Sequence, residues 1–153
     1  MEDIKRILVV SRMTKYCRKA VHYGVSLAKT YGAELYVLHV VYDPFIFGDW
    51  NLPLPNLDEE YKKTLEEAKE EIHKIVTTEI EKGVRVKELI KGGKPTEEIL
   101  KTVEEEHIDL IILLAHEEGH LEHFLFGRSN EAIIRKMPCS VFLVKKEPEP
   151  VAF

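Results

Sequence analysis

His116, Glu117, Glu118, Gly119 and His120 place two imidazoles and a carboxylate at the HExxH spacing of zinc peptidases, and His123 follows closely. That chemistry needs a helix, because only there do residues four apart share one face. Here the segment leaves an apolar run, Asp109–Leu114, and contains Gly119, so the helical context is weak and a solvated polar loop is the simpler reading. A non-catalytic metal site on His116, His120, His123 or a neighbouring Glu fits better than a catalytic one, since imidazole and carboxylate suit Zn²⁺. The metal assignment is therefore none. Cys17 falls on an apolar helical stripe and Cys139 just before an apolar run, so both read as small buried hydrophobes rather than nucleophiles. His22, His39, His73 and His107 fall on regular elements or their ends and read as structural. There is no Gly-x-Ser-x-Gly elbow, no Walker loop and no triad, and no catalytic residue is assigned.

The elements that position these residues follow an alternating rhythm. Ile7–Val10 is a short apolar run suited to a strand covered on both faces. Cys17, Ala20, Val21, Gly24, Leu27, Ala28 and Tyr31 recur at helical spacing, and Gly32 stops that helix. Ala33–Val41 is a second buried strand, giving a βαβ unit. A long helix from Leu57 to Lys82 carries Leu57, Tyr61, Leu65, Ala68, Ile72, Ile75, Val76 and Ile80 on one stripe. Its Glu66–Lys69 pair stands at a supporting i,i+3 spacing.

Val84–Ile90 alternates as a third strand, Gly92–Pro95 reads as a turn, and a helix begins at Thr96 and ends near His107. Asp109–Leu114 and Val141–Val144 are the fourth and fifth strands, with a helix over Ser129–Lys136 that Pro138 limits. Five strands alternating with four helices predict an α/β fold, a doubly wound open parallel sheet of Rossmann-like sandwich type. Ligands in such sheets sit beyond the carboxyl ends of the strands, which points to the segment after Leu114.

A length of 153 residues suits one domain, read as 1–146 with a tail over 147–153. A formal net charge of −5 argues against nucleic acid or membrane recognised through bulk charge. Two cysteines are too few for a disulfide framework, the charged opening lacks a secretory signal, and no stretch approaches the roughly 20 apolar residues of a membrane span. A cytoplasmic location is expected. The segment from Tyr42 to Asn56, with Phe45, Ile46, Phe47 and Trp50, reads either as a cap on the core or as a lid or protein-partner surface.

The chain resembles the universal stress protein family along nearly its whole length. KRILVV and KAVHYGVSLAKTYGAELYVLHVV are similar to that family's first βαβ unit, and GGKPTEEIL to its Gly-x-Pro turn and third helix. DLIILLAH and GRSNEAIIRKMPCSVFLVK resemble its ligand loop flanks and last strand. The resemblance implies adenine held near Val41, an adenosine-contacting Asp at the end of the first strand, and a Gly-x2-Gly-x9-Gly-Ser/Thr phosphate loop. Carried over without gaps, the Asp falls on Arg12, the glycines on Leu114, Glu117 and Gly127, and the hydroxyl residue on Arg128. His116 stands where a His commonly occurs in the family loop.

Only Gly127 keeps the motif, and Glu117 would set an anion beside phosphate. Candidate cofactor-binding residues are accordingly Ser11, Arg12, Val41, Leu114, His116, Gly127, Arg128 and Ser129. The leading expectation is a non-enzymatic regulatory or binding module of the stress response. It is homodimeric through the fifth strand, Val141–Val144, with no resident cofactor and with family-type ATP binding lost. The alternative keeps ATP or AMP through an altered anion site at Arg12, Arg128 and Ser129. A metal-binding protein built on the His-rich loop is the third reading.

Overall fold

The computed structural model describes residues 3–11, 17–42, 57–80, 83–115 and 128–145. The chain runs β1 (Arg6–Ser11), α1 (Cys17–Tyr31), β2 (Glu34–Tyr42), α2 (Leu57–Ile80), β3 (Val86–Gly93), α3 (Pro95–Glu105), β4 (Leu110–Leu114), α4 (Arg128–Lys136) and β5 (Ser140–Val144). All strand pairs are parallel, in the order β3-β2-β1-β4-β5. The expected doubly wound five-stranded sheet is what the chain forms.

Each strand residue feeds one of two cores in turn, as the period of two requires. Ile7, Val9, Leu35, Val37 and Ile112 pack against Val21 and Val25 of α1 and Ile72 and Val76 of α2. Leu8, Val10, Tyr36, Leu38 and Ile111 pack against Ile99 and Val103 of α3 and Ile133 of α4. Central strands buried on both faces explain why β1 and β4 read as unbroken apolar runs. At the amino edge, Asp109 Oδ2 accepts from the backbone N–H groups of Lys5 and Arg6 at 2.8 Å, tying β1 to the start of β4.

Helix boundaries follow local chemistry. Gly32 at φ 63° ends α1, and Ala33 N–H returns to the Ala28 carbonyl at 2.8 Å. Pro95 opens α3, where its missing N–H costs nothing. The Lys69–Glu66 pair of α2 closes at 2.8 Å on a solvent-facing surface.

Three expectations need correction. Tyr31, placed on the core stripe of α1, is 52% exposed, although Ala28 in the same last turn is buried in the core. Cys139 is half-buried rather than buried, packed at the margin of the second core. The third strand is shifted: it covers Val86–Gly93, so Gly92 and Gly93 belong to the ladder and not to a turn. Val41 and Tyr42 pair with them in register, and that pairing overrides the turn preference of the glycines.

Candidate functional site

β1 and β4 are neighbours at the centre of the sheet, and the chain leaves them towards opposite helical layers, β1 to α1 and β4 to α4. A crevice opens between carboxyl ends at such a switch point. Ser11 ends β1 and is fully buried. Its carbonyl accepts a hydrogen bond from Nδ1 of His39, its partner in register on β2, at 2.8 Å. A carbonyl only accepts, so Nδ1 carries the proton and a neutral ring keeps Nε2 as an acceptor. Burial pushes the His39 pKa below its ordinary value, with the Ser11 carbonyl pulling the other way, and the ring is neutral at pH 7.

On the β4 side, Leu114 is buried and its side chain belongs to the core that faces α1 and α2. Asn130 Nδ2 donates to the Leu114 carbonyl at 2.7 Å, fixing the first turn of α4 to the end of β4. The next residue, Ala115, donates its N–H to the Val144 carbonyl at 2.8 Å. Beside them, Ser129 is buried at the N-terminus of α4, and its Oγ has no hydrogen-bond partner among the described residues. An orphaned buried hydroxyl costs about 1–3 kcal/mol. It stands at the positive pole of the helix, where an anion is favoured.

Of the residues proposed from sequence, the structure gathers Ser11, Leu114 and Ser129 at the carboxyl ends of β1 and β4 or at the adjoining helix start. Val41 is buried one strand further out, paired with Gly92. For Arg128 the backbone of the first turn of α4 is described. Arg12, His116 and Gly127 lie outside the described residues, as do the HExxH segment, His123 and the Phe45–Trp50 cluster. Among the described residues no group of three or more His, Cys, Asp or Glu is placed to hold a metal ion, and no helix is long and apolar enough to cross a membrane.

Two site residues escaped the sequence reading. Asn130 is an amide in the first turn of a helix, a position where Asn commonly serves backbone groups. That was the available signal, though nothing in it named the Leu114 carbonyl as partner. His39 was read as structural, and its position on β2 beside the end of β1 emerges only from the strand register. Burial also pushes the Cys139 thiol pKa above its ordinary value.

The chain is similar to known proteins in sequence and fold. Residues 3–145 match the universal stress protein family. The universal stress protein MJ0531 of Methanocaldococcus jannaschii is 29% identical over 147 residues, covering 93% of this chain and 82% of that protein. The solved structure of MJ0577, from the same organism, superposes with a TM-score of 0.77 at 28% identity, covering 97% of this chain and 100% of that one. A universal stress protein solved in complex with cAMP shares the fold at a TM-score of 0.61 and 14% identity, covering 94% of this chain and 98% of that one. A parallel sheet with this strand order and a match running from the first strand through the last place the chain in the universal stress protein family.

Proposed function

We propose that the chain is a non-enzymatic regulatory or binding module of the universal stress type, cytoplasmic and homodimeric, in which the family-type ATP loop has been lost. Leu114 carries this reading. Its buried side chain stands where the motif has its first glycine, and its carbonyl is already engaged by Asn130. Glycine serves there because a phosphate needs close approach to backbone N–H groups, and a leucine Cβ and its branches crowd that approach. The dimer is supported by β5, an edge strand without a charged residue that exposes Phe142 and Leu143. Calorimetric titration with ATP tests the loss. No heat at millimolar nucleotide is the expected result, and saturable binding at micromolar concentration would contradict it.

Ser129 favours a second reading. Its unpartnered hydroxyl, at the first turn of a helix whose sequence neighbour is Arg128, suits an anion held in a mode different from the glycine loop. Arg12 adds a second cation in the sequence at the end of β1. AMP or ATP is the ligand class here, in line with the cAMP bound by a protein of the same fold. Weak saturable binding of AMP that Ser129→Ala lowers about 3- to 10-fold supports this reading. Binding indifferent to that substitution counts against it.

A further inference from the structure

At the amino edge of the sheet, remote from the switch point, the ends of α3 and α4 border an open recess of about 520 Å³. That volume falls among small-molecule sites, which run from about 300 to 1,000 Å³. Leu100, Val103, Ile108 and Pro138 make its wall apolar. Three ionisable side chains, Glu104, His107 and Lys136, stand around it.

The helix ends at this recess are built differently from the end of α1. There Gly32 takes the left-handed conformation, at φ 63°, while Ala33 N–H returns to the Ala28 carbonyl. α3 closes with the same bond, from Ile108 N–H to the Val103 carbonyl at 3.0 Å, yet the residue in the place of glycine is His107 at φ 51°. Met137, at φ 44°, turns the chain after α4 between Lys136 and Pro138, both of which line the recess. Among the described residues these two are the non-glycine positions in the left-handed region. A side chain is strained there and glycine is not, and such strain clusters where side chains are used.

The charges differ as well. On the same two helices Glu106 is held by Lys87, Glu105 by Lys91 and Arg135 by Glu131. Glu104, His107 and Lys136 have no side-chain hydrogen bond or ion pair among the described residues.

We propose that this recess binds a free α-amino acid with an apolar side chain. Lys136 supplies the cation for the carboxylate and Glu104 the anion for the ammonium group, each a charge-assisted contact. The apolar wall receives the side chain, and the His107 ring adds a donor and an acceptor at the rim. A zwitterion answers both opposite charges, whereas a simple acid or a simple amine answers one. The site is independent of both nucleotide readings.

Calorimetric titration of the full chain with L-leucine tests the assignment. The comparison ligands are 4-methylpentanoate, which lacks the amino group, 3-methylbutylamine, which lacks the carboxylate, and glycine, which lacks the side chain. Saturable binding of L-leucine is expected, with each of the three weaker by about 10-fold or more. Lys136→Gln and Glu104→Gln, at exposed positions, should each lower L-leucine affinity about 10-fold. His107→Gly separates binding from folding. It relieves the helix end and should raise the thermal midpoint by about 2–4 °C, while lowering L-leucine affinity about 3- to 10-fold. A purely structural His107 moves the midpoint alone, and that result removes it from the site. Binding of 4-methylpentanoate or 3-methylbutylamine as tight as that of L-leucine overturns the amino-acid assignment, as does no uptake of L-leucine at millimolar concentration.

Discussion

The two edges of this sheet solve the same problem in opposite ways. β3, at one end, has Lys87, Glu88 and Lys91 along it, and each is tied to a flanking helix. Lys87 reaches Glu106 at 3.4 Å and lies 5.4 Å over the Tyr36 ring, Glu88 meets His73 of α2 at 3.0 Å, and Lys91 meets Glu105 of α3 at 3.2 Å. Charges along an edge block the approach of another strand. β5, at the other end, reads SVFLV, with Phe142 37% and Leu143 51% exposed. Ile134 and Met137, from α4 and the residue after it, expose further apolar surface. Tyr23 of α1 leans on Phe142 with ring centroids 5.6 Å apart. One edge carries charges tied down within the chain, whereas the other exposes the apolar surface on which the proposed dimer rests.

The largest effect is expected at β5. Leu143→Asp puts a charge into the centre of the proposed pairing and should raise the dimer dissociation constant by about 30-fold or more, a hot-spot loss of about 2 kcal/mol. Sedimentation equilibrium checks it, and a variant as dimeric as the wild type breaks the contrast between the edges. A smaller change is expected at β3. Replacing Lys87 and Lys91 together by Val removes partly exposed ion pairs worth at most about 1 kcal/mol each, so urea unfolding shifts little. The stripped edge should gain association beyond the proposed β5 dimer, to species larger than any the parent forms. If it stays as inert as before, the charges are not what guards β3.

The smallest effect separates the guarded edge from the interior by pH. The buried His39 has a pKa below the ordinary 6.5, so the unfolded chain takes up a proton there before the folded chain does. Its stability contribution is whole above 6.5 and declines as pH falls from there through the folded pKa. Thermal unfolding between pH 7 and pH 5 should show this decline, and His39→Gln should flatten it.

Much of this architecture was legible in the sequence, because apolar runs such as Ile7–Val10 and Leu110–Leu114 have one stable use in an alternating chain. The end of β3 was not. Gly92 and Gly93 carry turn chemistry locally, and their place in the strand shows only in the ladder to Val41 and Tyr42. Tyr61 read as one member of a helical stripe, since its reach over a strand end is set by packing that no periodicity encodes. At the switch point, Leu114 in place of a glycine was visible as a departure from the family motif. That its carbonyl is held by Asn130, and that the Ser129 hydroxyl is left orphaned, required the three-dimensional arrangement of α4 against β4.

Amide hydrogen exchange along β5, followed across a dilution series, tests the contrast most directly. Because β5 is an edge, some of its amides point away from β4 and have no strand partner among the described residues. The outward amides of Val141–Val144 are expected to be protected at high protein concentration and to lose protection on dilution or in Leu143→Asp, while the outward amides of β3 exchange quickly throughout. Rapid exchange of the β5 amides at every concentration, matching β3, would contradict it.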